Sequence, residues 1–156
     1  MQRMRIAVII SGILLLTATT FAQESEKKIK QSDLPAAVQK TVTAESEGAR
    51  VRGFSKETEK GQTYYEAALT VNGHTKDILI DTNGKVVEVE EEAPFDSLTD
   101  AVKQGLQAKA GKGKLEKVES LTKSGKLVAY EAKVTTGTKK SEVQVGPDGK
   151  PLAHEE

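Results

Sequence analysis

The chain has no cysteine, no tryptophan and only two histidines, and these absences exclude several kinds of chemistry. Without cysteine the protein cannot form a disulfide, a zinc–thiolate cluster, an iron–sulfur centre or a thiol nucleophile. Acidic and basic residues balance at 23 each, so the chain lacks the net positive charge of a dedicated nucleic-acid binder. Its 156 residues are enough for one ordinary domain or two very small ones.

Catalytic motifs are also missing from the sequence. His74 follows an Asn-Gly turn and His154 is the third residue from the end of the chain, so neither histidine stands beside a candidate nucleophile. No G-x-S-x-G, H-E-x-x-H or phosphate-binding glycine loop occurs. We therefore expect no catalytic residue and no cofactor, and only a pairing of the two histidines in space would change this expectation.

Residues 1–22 have the pattern of a secretory signal peptide. Arg3 and Arg5 precede an apolar run. The tripeptide Thr20-Phe21-Ala22 then has small residues at both ends, as a cleavage site requires. The pattern predicts cleavage after Ala22, a periplasmic or secreted product, and a flexible mature N-terminus over 23–31. The alternative is an uncleaved anchor, but the uncharged stretch is near the short limit for spanning a bilayer. We expect no stable membrane insertion after cleavage.

The rest of the chain contains an internal repeat. Segment 32–92 aligns with segment 97–156 at an offset of 64 residues, which becomes 65 after one insertion in the second copy. The matched landmarks include Tyr65-Glu66 with Tyr130-Glu131, and Asn83-Gly84-Lys85 with Asp148-Gly149-Lys150. Self-similarity of this kind indicates two units of the same local architecture. Residues 93–96 form the expected linker.

Each copy begins with a helical period and continues with a strand period. The apolar helical stripes are Leu34, Ala37, Val38 and Val42 in the first copy, and Leu98, Ala101, Val102 and Leu106 in the second. Apolar residues then alternate with polar ones, and glycine-bearing turns such as Asn72-Gly73 and Asn83-Gly84 separate the strands. A spacing of three between Val51 and Phe54 indicates a β-bulge.

The sequence therefore predicts an α+β fold of two tandem repeats. Each repeat is expected to be a helix followed by about four antiparallel strands in a meander. Whether the two repeats share one sheet or pack as two sheets is left open by the pattern.

The order of these features resembles the PepSY-like, beta-lactamase-inhibitor-like (BLIP-like) domain of exported bacterial proteins. In the first copy the resemblance is carried by Asp33-Leu34-Pro35-Ala36-Ala37-Val38, Tyr65-Glu66, Ile78-Leu79-Ile80-Asp81 and Asn83-Gly84-Lys85-Val86-Val87-Glu88. The second copy matches less well, because Thr99 and Gly146 replace Pro35 and Asp81. The resemblance implies tandem domains, export and a non-enzymatic role in inhibiting or regulating another protein, such as a peptidase.

A sheet face not covered by the helices would suit contact with a protein or peptide. On this reasoning we expect four residues at the contact face: Tyr64, Glu66, Glu131 and Lys133. The competing interpretation is that this face is merely solvated, or buried between the copies.

Acidic residues near the strand ends give a second candidate site. They are Asp81, Asn83, Glu88, Glu90, Glu91, Glu92 and Asp96. The Asp81-x-Asn83 pair begins like a calcium loop, but Lys85 occupies the third ligand position and Gly84 comes two positions too early. A hairpin turn is the favoured interpretation and no metal ligand is assigned, while weak calcium binding by the glutamates remains a hypothesis.

The main functional prediction is an exported, non-catalytic binding module that contacts or regulates another envelope or secreted protein. The alternative is a periplasmic protein that binds a small ligand or a cation such as calcium. Neither interpretation involves nucleic acid.

Overall fold

A computed structural model describes residues 25–59 and 61–156. The expected signal peptide lies outside the described residues, so its cleavage stays a prediction. The elements in the described part of the chain are β1 (Ser25–Ile29), α1 (Ala36–Glu45), β2 (Arg50–Glu59), β3 (Gln62–Val71), β4 (His74–Asp81), β5 (Val86–Glu92), α2 (Asp100–Ala110), β6 (Lys114–Lys123), β7 (Lys126–Thr136) and β8 (Lys139–Val145).

All eight strands belong to one antiparallel sheet, in which each strand pairs with the next along the chain. The expected fold class, two tandem repeats of one helix and about four strands, is therefore wrong. The single eight-stranded sheet overturns it, and the pairing of β5 with β6 joins the two halves, since Glu88 lies opposite Lys123 and Glu92 opposite Glu119. Two separate units would have left the edges of β5 and β6 with unpaired backbone groups, and joining them satisfies those groups.

The division of strands between the two halves also differs from the expectation. Strand β1 forms within segment 23–31, which we expected to be flexible, and its Ile29 lies opposite Phe54 of β2. After β8 the chain makes the Asp148-Gly149 turn, but residues 151–156 form no strand. Five strands therefore precede α2 and three follow it within the described residues.

Both helices pack on the same face of the sheet. Helix α1 and the turn before it place Leu34, Val38 and Val42 on Ala67 and Ile80. Helix α2 covers a second cluster, which consists of Leu98, Val102, Leu106, Val118, Ala132 and Val145. The register of strands β3 to β7 puts the strand residues of both clusters on one side. The predicted helical stripes are confirmed in part. Six of their residues are buried, namely Leu34, Val38, Val42, Leu98, Val102 and Leu106, whereas Ala37 and Ala101 are exposed.

Two further local predictions are confirmed. The register of β2 against β3 shifts between Val51 and Gly53, which is the predicted bulge. The Asn72-Gly73 turn joins β3 to β4, and both turn residues have positive φ, as a two-residue hairpin requires. In the described part of the chain neither helix is long and apolar enough to cross a bilayer.

The turn after β8 lies directly against α2. A Cβ atom on Gly149 would overlap the carbonyl oxygen of Ala101, in the first turn of that helix. Gly149 also has a φ of +77°, a conformation that side chains disfavour. Gly84 approaches Ala37 of α1 in a similar way. These contacts fix the height of each helix above the sheet.

Candidate functional site

The sheet face that points away from the helices is the candidate site, here called the polar face. Residues alternate between the two sides of a strand, so the register of the sheet assigns its members. They include Glu26, Ser55, Glu57, Tyr64, Glu66, Ala68, Asp77, Leu79, Glu88, Glu90, Glu119, Leu121, Ala129, Glu131, Lys133, Glu142 and Gln144.

All four residues expected at the contact face lie on the polar face. Tyr64 and Glu66 come from β3, and Glu131 and Lys133 come from β7. Since the strands form one sheet, these two pairs belong to a single continuous surface. Their role in contact with a partner stays a prediction.

Carboxylates cross the middle of the polar face in a row that we call the acidic lane. Its members lie on β2 to β7 and are Glu57, Glu66, Asp77, Glu88, Glu90, Glu119 and Glu131. Five of them, together with Leu79, line a concavity of about 240 Å³. The lane therefore has a definite shape as well as a concentration of negative charge.

Cationic side chains neutralise only some of these carboxylates. The guanidinium of Arg52 bonds to Asp77, and its Nε donates to the carbonyl oxygen of Leu69 at 3.0 Å. Lys123 Nζ lies 3.7 Å from a carboxylate oxygen of Glu88.

Among the described residues, Glu119 has more cationic partners than any other carboxylate of the lane. Lys117 Nζ lies 2.6 Å and Lys133 Nζ 3.6 Å from its oxygens. The Glu119 residue is 4% exposed. Two lysines are needed here because a buried carboxylate without partners would be strongly destabilising.

Glu66 lies in the part of the lane where carboxylates crowd together. Its main neighbours are Ser55, whose hydroxyl donates to Glu66 Oε2 at 3.3 Å, and Glu57. Burial, a hydrogen bond with Glu57 and the negative charges of Glu57 and Glu26 raise the pKa of Glu66 to about 7. Each of these factors favours the protonated form of the carboxyl group.

Glu90 is the second carboxyl group with a strongly raised pKa. Burial raises its pKa to about 7, and the charges of Glu119, Glu131, Glu88 and Asp77 act in the same direction. Among the described residues Glu90 forms no ion pair. Burial also raises the pKa values of Asp77, Glu88 and Glu131, although a nearby cation or amide opposes the rise in each case.

The structure brings together one group of carboxylates that could be considered for a metal ion. Oxygens of Asp77, Glu90 and Glu119 lie within 4.8 Å of one another. However, Asp77 is already paired with Arg52, and Glu119 is already paired with two lysines. A divalent cation would have to displace these bonds and stand next to three positive charges. We therefore describe the group as an ion-pair network and not as a metal centre.

The acidic residues expected near the strand ends do not converge on one point. Asp81 Oδ1 accepts hydrogen bonds from the backbone N–H groups of Asn83 and Lys85, each at 2.9 Å, so it stabilises the hairpin turn. Glu88, Glu90 and Glu92 face the polar side, whereas Glu91 and Asp96 do not. Glu92 accepts from the Thr75 backbone and lies 3.6 Å from His74 Nδ1.

The end of the chain contacts the polar face near β8. The backbone N–H of Glu156 donates to Gln144 Oε1 at 2.9 Å, and a carboxylate oxygen of Glu156 lies 3.6 Å from Lys123 Nζ. Gln144 in turn donates to Glu131 at 2.8 Å. The C-terminal residues thus belong to the same hydrogen-bonded network as the lane.

Sequence reasoning missed Asp77, Glu119 and Gln144 as members of this face. Strand alternation could have identified Asp77, because it lies two positions before Leu79 and opposite Ala68. The same rule places Glu119 on this face, because Glu119 lies two positions before Leu121 on the same strand. The convergence of these side chains depends on the pairing of β5 with β6, which the sequence did not indicate.

No protein-family model matches the chain, and no curated protein matches it in sequence. Several solved structures have the same fold. A DUF2874 family protein from Bacteroides ovatus is 22% identical, with a TM-score of 0.61 over 76% of this chain and 84% of that one. A protein from Bacteroides eggerthii, provisionally described as periplasmic, is 19% identical, with a TM-score of 0.63 over 76% and 86% of the two chains.

A third structure is a BLIP-like protein from Bacteroides fragilis. It is 21% identical, with a TM-score of 0.57 over 78% of this chain and 85% of that one. The fold is BLIP-like. This part of the resemblance inferred from the sequence is therefore confirmed, whereas the likeness gives no support to the PepSY-like assignment or to tandem copies. At this level of identity the likeness concerns the fold and carries no function with it.

Proposed function

We propose that the protein is an exported, non-catalytic binding module that contacts another envelope or secreted protein through its polar face. The observation that carries the proposal is the arrangement of that face. Both helices pack on the opposite side of the sheet, and the polar face combines a shaped concavity with oriented charges. Such a surface can recognise a partner through shape and charge without reacting with it.

Export is part of the same proposal. It is supported by the signal-peptide pattern over 1–22 and by the periplasmic description of the relative from Bacteroides eggerthii. Regulation or inhibition of an enzyme, such as a peptidase, is the form of contact that the resemblance of the sequence to BLIP-like domains implies, and a BLIP-like structure is among the proteins of the same fold. The calcium-binding alternative has less support, because the expected acidic ligands are dispersed. The close trio found in the described part of the chain is held by Arg52, Lys117 and Lys133.

The proposal can be tested by affinity capture from the envelope fraction of the producing cell. The bait is the wild-type protein, and the polar-face variant carries Tyr64→Ala and Lys133→Glu. A matched control carries Lys40→Glu and Lys109→Glu, which change exposed residues on the two helices. A captured protein should then be purified and its dissociation constant measured for all three baits.

We expect the polar-face variant to bind the purified partner at least tenfold more weakly, while the helix control binds like wild type. Loss of binding only in the helix control would place the contact on the other side and contradict the proposal. If no protein binds and a calcium or metabolite titration raises the melting temperature, the ligand-binding alternative becomes the better account.

A further inference from the structure

Within residues 25–59 and 61–156, no cation pairs with the two carboxyl groups at the centre of the acidic lane, Glu66 and Glu90. Charged and polar groups face them from all the surrounding strands. They are Glu26 and Lys28 on β1, Arg52, Ser55, Glu57 and Glu59 on β2, Tyr64 on β3, Asp77 on β4, Glu88 and Glu92 on β5, Lys117, Glu119 and Lys123 on β6, and Glu131 and Lys133 on β7. Negative groups outnumber positive ones in this set.

The nearby cations are already engaged with other carboxylates. Arg52 bonds to Asp77, and Lys123 contacts Glu88. Lys117 and Lys133 both bond to Glu119. The remaining cation, Lys28, is exposed and lies opposite Ser55, so one strand separates it from Glu66.

Half-buried carboxylates that stand beside like charges and have no paired cation are stabilised by taking up a proton. We infer that the acidic lane is a proton-dependent switch, in which Glu66 and Glu90 gain protons as the pH falls through neutrality and the polar face becomes less anionic and more stable. This inference rests on the proposed function, because it concerns how contact through that same face is regulated.

The switch would change the polar face by two charges without moving the backbone. At pH 8 most of the carboxyl groups at the centre of the lane would be ionised, and they would repel one another. At pH 6 both glutamates would be mostly protonated, and each could donate a hydrogen bond to a neighbouring carboxylate. A partner would then meet a different surface at each pH.

Linkage determines how stability follows pH. The pKa values of Glu66 and Glu90 are raised to about 7 in the folded protein. At any pH between their pKa in the unfolded protein and this raised pKa, the folded state binds more protons than the unfolded state. The two glutamates therefore stabilise the fold fully when the pH is below their pKa in the unfolded protein. This stabilisation is lost as the pH rises through their pKa in the folded protein.

The experiment follows every glutamate carboxyl by 13C NMR from pH 4 to pH 9 in the purified protein without a partner. It also records thermal melting at pH 5.5 and at pH 8. We expect two glutamates, assigned as Glu66 and Glu90, to titrate at neutral pH, and the melting temperature to be several degrees higher at pH 5.5. In the variant Glu66→Gln, Glu90→Gln most of this difference should disappear.

Glu142→Gln is the matched control, because Glu142 lies on the same face but is exposed; it should keep the pH dependence of the wild type. Titration of both glutamates below pH 5.5, or equal melting temperatures at the two pH values, would overturn the switch. The wild-type titration decides the matter even if the double variant does not fold. Because no partner is present, these results bear on the switch alone, whereas capture that maps to the helices bears on the proposed function.

Discussion

Glu90 and Glu119 bring their carboxylate oxygens within 4.8 Å of each other on neighbouring strands, yet only Glu119 has lysine partners among the described residues. The difference follows from the register. Lys117 is two residues from Glu119 on β6, and Lys133 lies opposite Lys117 on β7. Strand β5 brings no cation to Glu90, because its other polar-face residues are also glutamates.

The first prediction concerns the effect of Glu119 on Glu90. Burial is the largest cause of the raised pKa of Glu90, and the negative charge of Glu119 is the second largest. Glu119→Gln removes this charge and leaves Lys117 and Lys133 free to attract the Glu90 carboxylate. The pKa of Glu90 should therefore fall, which a carboxyl 13C titration would detect.

The control for this prediction is Glu116→Gln. Glu116 is exposed and pairs with Lys114 at 3.2 Å on the same strand. This variant should leave the Glu90 titration unchanged. An unchanged or raised pKa of Glu90 in Glu119→Gln would show that burial alone controls the group.

The sequence was sufficient for the local structure because the signals there are short-range. The helical stripes at Val38 and Val102, the hairpin at Asn72-Gly73 and the bulge at Val51 each depend on residues close together in the chain. Strand alternation likewise placed Tyr64 with Glu66, and Glu131 with Lys133, on one side of their own strands.

The global arrangement could not be read from such signals. The pairing of β5 with β6 joins segments that are separated by a whole helix, and the residues that pair are mainly charged, such as Glu88 with Lys123. The internal repeat suggested two equal units, but Ser25–Ile29 adds a strand to the first half and residues 151–156 add none to the second. The acidic lane depends on this joining, so only part of it was predicted.

The second prediction tests whether the continuous sheet unfolds as one unit. Leu34 belongs to the α1 cluster and Leu106 to the α2 cluster, and both are buried. Leu34→Ala and Leu106→Ala should each lower the free energy of unfolding by about 2–5 kcal/mol. Because β5 and β6 join the two halves, both variants should shift the same single transition in urea, followed by circular dichroism and by tyrosine fluorescence.

Gln107→Ala provides the control for these core variants, since Gln107 is exposed on α2; its effect should be within about 0.5 kcal/mol. Two separate transitions, with each leucine variant shifting only one of them, would mean that the halves unfold independently despite their shared sheet.

The third prediction concerns the contact between Gly149 and α2. Gly149→Ala would place a Cβ on the carbonyl oxygen of Ala101 and would also strain a backbone with φ of +77°. Gly137→Ala carries a similar strain at φ of +62°, but its Cβ would enter open space. Gly137→Ala should lower the free energy of unfolding by about 1–2 kcal/mol, and Gly149→Ala by about 1–3 kcal/mol more. Equal losses in urea denaturation would exclude a tight contact between the turn and the helix.

The last prediction concerns processing of the N-terminus. Cleavage after Ala22 would leave β1 intact, because this strand begins at Ser25, and β1 pairs along its whole length with β2. Expression of the full chain in a Gram-negative host should therefore give a periplasmic product whose mass corresponds to residues 23–156. Ala22→Arg places a large charged residue where the peptidase requires a small one, so it should cause the unprocessed chain to accumulate in the membrane fraction. If wild type keeps residues 1–22, the uncleaved-anchor alternative is correct, and the polar face would act at the membrane surface.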